Sequence, residues 1–276
     1  MKPLLKKPIL LFLIITLVLS AILYCLILVP GITVGNRQGF LFLALKWCPA
    51  LATLITSLVC YRSLKNLGWG LGKPKCLLWV YFAPLVYGGL VYGLVWAFRL
   101  GDFNLEMGAA MLTGGGLLGL LMMAVVGLGL PTLGEEIGWR GLLAPELAKD
   151  FDFIDVSLYS GIITLIWYTP LILTGNGVTN APLWYNWLCY ACLTIGMSFA
   201  YTWLRMKSNS LWVPFFLHAG HNFIIGILFD GLMVNNGITF YLTTELGAGL
   251  ALAGVVIGLF FWRLGAPVKS AQDITA

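Results

Sequence analysis

Two adjacent carboxylates and an arginine stand out in a chain that is otherwise hydrophobic. The segment 131–149 reads PTLGEEIGWRGLLAPELAK and follows the apolar run 107–130. Ionisable side chains in a membrane segment are costly, so they indicate a functional site. On a helix, Glu136 and Arg140 can pair, whereas Glu135 is rotated by about 100° and is left free, without a cation. Glu135 then lies in a low-dielectric setting that suits a general base, although a salt bridge capping a helix end is the alternative interpretation.

The two histidines of the chain form a second polar group. Both lie in the stretch Pro214-Phe-Phe-Leu-His218-Ala-Gly-His221-Asn222, inside an apolar segment. His218 and Asn222 share a helical face, and His221 lies close to it. Such side chains inside a membrane helix must face a cavity or the interior of a helix bundle. They predict either a site shared with Glu135 or an interhelical hydrogen-bond cluster.

Three other side chains in apolar segments need an interpretation. Trp167 is interpreted as a packing residue. Tyr168 lies deeper than an interfacial aromatic belt would place it, so its hydroxyl should have a partner. Glu245 lies near the outer end of the last apolar segment, where we expect an ordinary acid at a helix N-terminus.

The composition is that of a polytopic membrane protein. The chain has 276 residues, is 60% hydrophobic and 10% charged, and has a mean hydropathy of +0.92. Soluble domains carry roughly 25% charged residues. The net charge of +5 does not indicate a nucleic-acid partner, because the basic residues lie at the ends of apolar runs. We therefore expect the lipid bilayer of a cell membrane as the partner, and no nucleic acid.

Apolar runs of about 20 residues predict eight transmembrane helices. The predicted spans are 9–30, 39–61, 76–98, 107–130, 156–174, 184–204, 210–229 and 239–262. Basic residues recur at every second connection, such as Arg62 after the second span and Arg205 after the sixth, which predicts that both termini are cytoplasmic. Gly-x-x-x-Gly spacings are assigned to helix packing. The expected fold is all-α, a single integral membrane domain over 1–276.

The spacing of the polar residues resembles a known family. Glu135-Glu136-x-x-x-Arg140 follows four predicted spans, and His218-x-x-x-Asn222 follows later in the chain. This arrangement resembles the CPBP family, which comprises the CAAX proteases and the bacteriocin-processing or immunity proteins, also called the Abi family of intramembrane endopeptidases.

The resemblance covers about 40–230 and departs from the family at one motif. Its match includes Pro49-Ala50-Leu51-Ala52 in the second predicted span. The family's second motif is Phe-x-x-x-His, and the corresponding stretch here is Thr164-x-x-x-Tyr168, with the neighbouring tryptophan and proline kept. The expected catalytic histidine is therefore a tyrosine.

The resemblance implies an endopeptidase in which a glutamate activates water against a peptide carbonyl. Glu135 would be the base, and Glu136 with Arg140 would fix the helix. His218 and Asn222 would be electrophilic groups or oxyanion donors.

A tyrosine at the second motif also bears on metal binding. Tyr168 can donate a hydrogen bond to an oxyanion, but it is a poor metal ligand at neutral pH because its free pKa is near 10. A catalytic zinc wants three protein ligands, which Glu135, His218 and His221 supply only if His221 turns into the site. No cofactor is otherwise predicted, and a metal-free glutamate mechanism with Tyr168 as donor is preferred over a zinc or other divalent metal.

Two functional hypotheses follow, with a third of another class. The leading one is an intramembrane endopeptidase that cleaves a membrane-anchored or membrane-associated peptide or protein near the cytoplasmic face. The alternative is a catalytically inactive family member that acts as a membrane scaffold or a bacteriocin self-immunity protein, which Tyr168 favours and the remaining motif residues oppose. A transporter is disfavoured because no internal repeat or matching pair of broken helices is seen.

Overall fold

Long helices make up most of the structure, a computed structural model that describes residues 6–28, 37–174 and 180–265. They are α1 (Lys7–Leu28), α2 (Arg37–Tyr61), α3 (Pro74–Ala97), α4 (Gly114–Leu147), α5 (Phe153–Leu173), α6 (Leu183–Ser208), α7 (Trp212–Leu232) and α8 (Ala248–Leu264). The predicted all-α class is confirmed. Both chain ends lie outside the described residues, so their cytoplasmic location stays a prediction.

Short elements connect some of these helices. They are a 3-10 turn Lys65–Leu67, the helices Leu105–Met111 and Thr239–Leu242, and the strands β1 (Asp102–Phe103) and β2 (Met233–Val234). The two strands pair in antiparallel fashion and join the segment after α3 to the end of α7.

Three of the long helices are not uniform. In α3, the α-helical parts Pro74–Phe82 and Pro84–Ala97 meet at Ala83. In α4, π-helical turns at Met123–Gly129 and Ile137–Leu143 flank the α-helical part Leu130–Glu136. In α7, the α-helical part Trp212–Phe223 leads into a π-helical turn, Ile224–Phe229. Two of these π-helical turns, Ile137–Leu143 and Ile224–Phe229, directly follow the α-helical parts that carry the two glutamates and the His218–Asn222 pair.

The number of spans differs from the prediction. Among the described residues, seven helices, α1 to α7, are long and apolar enough to cross a membrane, as expected of a multi-pass integral membrane protein. The predicted eighth span, 239–262, is divided into Thr239–Leu242 and α8, which has only 17 residues. This is shorter than the roughly 20 residues that span a bilayer at right angles.

The fourth predicted span, 107–130, is also misplaced. The apolar run is divided after Met111, and α4 begins at Gly114. Thr113 is the reason, because its Oγ1 accepts a hydrogen bond of 3.0 Å from the Gly116 backbone N–H and so caps a new helix. From there α4 continues to Leu147, so the double-glutamate motif lies inside a long helix and not at the edge of a span.

The buried apolar side chains form two main clusters. One joins α1, α2, α4 and α5 around Phe12, Leu45 and Trp139. The other joins α3, α6, α7 and α8 around Tyr92 and Leu193, among others. A cavity with several charged and polar groups in its lining lies between helices of both clusters.

Candidate active site

Glycines in α4 bring the backbone of α2 close to the double-glutamate motif. A Cβ atom at Gly134 would lie 2.6 Å from the Lys46 carbonyl oxygen, and one at Gly138 would lie 2.3 Å from Pro49 Cβ. Only hydrogen at both positions permits this approach, which is the role expected of small residues in membrane helix contacts. The contact places the Lys46 side chain beside Glu135.

Glu135 is held by a cation and a hydroxyl group from two other helices. Its carboxyl group is buried, and Lys46 Nζ of α2 lies 2.7 Å from Oε1. The Tyr168 hydroxyl of α5 lies 2.7 Å from Oε1 and 2.8 Å from Oε2, and it also accepts a hydrogen bond from Lys46 Nζ. The expectation that Tyr168 has a hydrogen-bond partner is confirmed. The prediction that Glu135 lacks a cation is wrong, because its partner comes from α2 and not from its own helix.

Glu136 forms the second charged cluster. Arg140 Nη1 lies 2.8 Å from Glu136 Oε1, which confirms the pairing predicted from the helical spacing. His218 Nδ1 of α7 lies 2.8 Å from the same oxygen. The Arg140 guanidinium also lies over the Tyr201 ring, 4.4 Å from its centroid. Glu136 therefore ties α4 to α7.

His218 and Asn222 both present polar atoms to the cavity. If His218 donates from Nδ1 to the Glu136 carboxylate, its Nε2 is left for the cavity, as an acceptor when the ring is neutral and as a donor when it is protonated. Asn222 Nδ2 donates to Thr132 Oγ1 over 2.9 Å, which leaves the second hydrogen of its amide for another acceptor. The two residues lie on one face of α7, as predicted.

His221 makes a separate cluster. Its Nδ1 lies 2.6 Å from the Tyr87 hydroxyl, and its Nε2 lies 3.2 Å from Glu245 Oε1. Glu245 precedes α8 and lines the cavity, so the prediction of an ordinary acid at a helix N-terminus is wrong. The loop before α8 folds back onto α7, which a linear reading of the sequence does not reveal.

The predicted metal ligands are not gathered into one set. In the described part of the chain, no group of three His, Cys, Asp or Glu side chains could hold a metal ion. Both ring nitrogens of His221 already have partners, and Glu135 is paired with Lys46. The donors present therefore do not fit the predicted zinc site of Glu135, His218 and His221.

A single cavity of about 580 Å³ unites these groups. Its polar lining includes Lys46, Glu135, Arg140, Tyr168, Tyr190, Tyr201, His218, His221, Asn222, Asp230 and Glu245. Five of the six predicted catalytic residues thus line one space, and the sixth, Glu136, lies behind it, bonded to Arg140 and His218. Carboxylate, cation, hydroxyl and imidazole groups around one cavity can support acid–base chemistry and oxyanion stabilisation.

Lys46 is the site residue that the sequence reasoning missed. It lies inside the apolar run 39–61, for which the sequence analysis predicts only a transmembrane span. A lysine in the middle of such a run is itself a signal, because an ionisable group within a membrane helix needs a partner or a cavity. Its partner is 89 residues away, so no local spacing indicates the pair.

Comparison with known proteins supports the predicted family. A family model described as Type II CAAX prenyl endopeptidase Rce1-like matches residues 116–224, which contain all six predicted catalytic residues. A curated relative from Methanococcus maripaludis, CAAX prenyl protease 2, is 25% identical over 142 residues. These matches support a CPBP family member. The matched part covers 48% of this chain and 49% of the relative, so the chain spans about half the length of the curated relative that it matches.

Proposed function

We propose that the chain is a CAAX-protease-like endopeptidase that cleaves a membrane-associated peptide or protein, near the cytoplasmic face. The observation that carries the proposal is one cavity whose lining brings Glu135 together with His218 and Asn222. The family match covers these three residues, and the endopeptidase activity in its description is compatible with acid–base chemistry and oxyanion stabilisation. The name of the relative suggests prenylated C-terminal CAAX peptides as the first substrate class to test.

Glu135 is the base in this proposal, since it lines the cavity whereas Glu136 is enclosed by Arg140 and His218. The carboxylate takes a proton from a water molecule, and the water oxygen attacks the carbonyl carbon of the peptide. The carbon–nitrogen bond then breaks, and the leaving amine takes the proton from Glu135. The Tyr168 hydroxyl, bonded to both carboxylate oxygens, orients the base during these steps.

The carbonyl oxygen gains negative charge when water attacks, and donors from α7 are placed to receive it. A protonated His218 would donate from Nε2, since its Nδ1 is directed at Glu136. The free hydrogen of the Asn222 amide is a second donor. Donors of this kind are typically worth about 100- to 1,000-fold in kcat. No step in this scheme uses a metal ion, in keeping with the poor fit of the donor set.

The non-catalytic alternative also has an observation in its favour. Both oxygens of Glu135 are bonded to Lys46 or Tyr168, as in an ion pair whose role is only to hold α2, α4 and α5 together. In that case the chain would act as a membrane scaffold or a self-immunity protein.

The test is a comparison of the peptide termini present in membranes that contain the wild-type chain or Glu135→Gln. The substitution removes the base and keeps size and hydrogen bonding. Glu106→Gln is the matched control, because Glu106 is an exposed acid outside the cavity lining. Termini present with the wild type and Glu106→Gln, and absent with Glu135→Gln, support the endopeptidase. Identical termini in all three, with all proteins folded, support the scaffold or immunity function instead.

A further inference from the structure

The most informative unassigned group is the ammonium of Lys46. It lies in the middle of α2, a largely apolar helix, and lines the cavity next to the proposed base. We propose that Lys46 is a catalytic residue whose ammonium donates a hydrogen bond to the substrate carbonyl oxygen and stabilises the negative charge that develops there. This inference rests on the proposed endopeptidase function.

The hydrogen bonds of Lys46 leave one donor free for a substrate. An ammonium group has three N–H donors and no acceptor. One is directed at Glu135 Oε1 and one at the Tyr168 hydroxyl. Among the described residues, no hydrogen-bond acceptor is recorded for the third. A peptide carbonyl bound in the cavity beside the ammonium would supply this acceptor.

Exposure separates this ion pair from its neighbour on α4. In the pair of Arg140 and Glu136, the side chains are 4% and 0% exposed, so that pair is closed. In the pair of Lys46 and Glu135, the side chains are 20% and 1% exposed. The cation, not the carboxylate, is therefore the more accessible member of the second pair. If Lys46 only neutralised the charge of Glu135, it could be enclosed as completely as Arg140 is beside Glu136.

The position of Lys46 is also fixed before any substrate binds. Its ammonium lies 5.7 Å from the Trp167 ring centroid and 4.2 Å from that of Tyr168. Its backbone carbonyl is in close contact with Gly134 of α4. A charged donor that is held in place in a low-dielectric site stabilises a developing charge without reorganisation at the moment of reaction.

The proposed step is balanced without an additional reactant. Water adds to the carbonyl carbon, and the electron pair of the C=O bond moves to the oxygen, which then accepts the hydrogen bond from Lys46. Lys46 keeps its proton throughout. When the intermediate collapses, the C=O bond forms again, the carbon–nitrogen bond breaks, and the amine leaves with the proton that Glu135 held.

The test measures kcat and KM separately for a prenylated CAAX peptide with a fluorescence-quenching pair, using the full chain in liposomes. Lys46→Met is expected to lower kcat by about 100-fold or more with little change in KM, because the donor acts on the transition state. Lys46→Arg keeps the charge and should retain part of the activity. Lys149→Met is the control, because Lys149 also pairs with a glutamate, at 2.6 Å from Glu146, but lies outside the cavity lining.

Loss of folding is separated from loss of catalysis in two ways. Thermal unfolding reports whether each variant is folded. If Lys46→Met does not fold, Lys46→Gln replaces it; this variant keeps a polar side chain but removes the positive charge that the proposal requires, so its kcat should fall as well. Binding provides a readout without turnover. A phosphinate peptide, which imitates the tetrahedral intermediate, should lose about 100-fold in affinity for the folded variant, and the parent peptide should not.

The outcomes distinguish this inference from the function on which it rests. A wild-type chain that cleaves no peptide and does not bind the phosphinate overturns both. A wild-type chain that cleaves, together with a folded Lys46→Gln or Lys46→Met variant of unchanged kcat, overturns the role of Lys46 and leaves the endopeptidase intact. A large fall in kcat confined to the Lys46 variants supports both.

Discussion

Substituting Gly138 by alanine tests whether close packing of α4 on α2 builds the site. An ideal Cβ at this position would lie 2.3 Å from Pro49 Cβ and 3.1 Å from both the Cα and the carbonyl carbon of Pro49. Neither the proline ring nor the backbone atoms can rotate away, so α4 and α2 must separate. Because Lys46 lies one turn before Pro49 on α2, its contact with Glu135 is disturbed by the same movement.

Two opposing effects set the magnitude. Overpacking of a well-packed contact costs about 1–3 kcal/mol, and the clash with proline backbone favours the upper end. Alanine gains about 1 kcal/mol over glycine in helix propensity, so the net loss should be about 1–2 kcal/mol. For a chain of this size, each kcal/mol lowers Tm by about 2–4 °C. The matched control is Gly119→Ala in the same helix, where the added Cβ meets nothing within 4 Å and only the propensity gain remains.

The assay is thermal unfolding of both variants in the same detergent, followed by peptide cleavage at a temperature where both are folded. Gly138→Ala should unfold at a lower temperature than the wild type, and Gly119→Ala at the same or a higher temperature. The cleavage rate of folded Gly138→Ala should also fall, because the Lys46 ammonium is displaced. A Gly138→Ala variant that is as stable and as active as Gly119→Ala would refute the packing argument.

Three further substitutions test the remaining parts of the site. Arg140→Met should destabilise the fold by about 3–5 kcal/mol, since it leaves the buried Glu136 charge without its cation, and adding Glu136→Gln should recover much of the loss in thermal unfolding. Tyr168→Phe should lower kcat/KM by about tenfold or more, because a hydrogen bond to a charged group is worth about 1.5–3 kcal/mol; an unchanged rate would show that the hydroxyl does not orient the base. Ser20→Ala should cost about 1–3 kcal/mol in unfolding free energy and change kcat much less than a Lys46 variant does, since it removes the acceptor 2.7 Å from Trp167 Nε1 and neither residue lines the cavity.

Local spacing predicted the parts of the site that lie on one helix. The pairing of Glu136 with Arg140 and the shared face of His218 and Asn222 follow from the helical repeat alone, and the structure shows both. The π-helical turn that begins at Ile137 does not break the Glu136–Arg140 pair. Such contacts are predictable because the geometry of a helix fixes them.

Contacts between helices distant in sequence could not be predicted in the same way. Lys46 meets Glu135 because two glycines of α4 let α2 approach, and a hydropathy pattern carries no information about which helices are neighbours. The role of Glu245 could not be predicted for the same reason, since this residue precedes α8 and its partner His221 lies on α7. The sequence does not reveal the break before α4, because the capping Thr113 lies within the uncharged apolar run 107–130, which has the length of a span.

The two adjacent carboxylates of α4 hold helices together, in addition to any part they take in catalysis. In a membrane, apolar side chains are as well solvated by lipid as by each other, so helix association depends on close packing and polar contacts. Glu135 joins α4 to α2 and α5, and Glu136 joins α4 to α7. A substitution at either glutamate therefore removes a link between helices as well as a candidate catalytic group. Activity lost in a glutamate variant therefore identifies a catalytic role only when the variant retains its unfolding temperature. For this reason the replacements by glutamine are the informative ones, because they keep a hydrogen-bonding side chain of the same size.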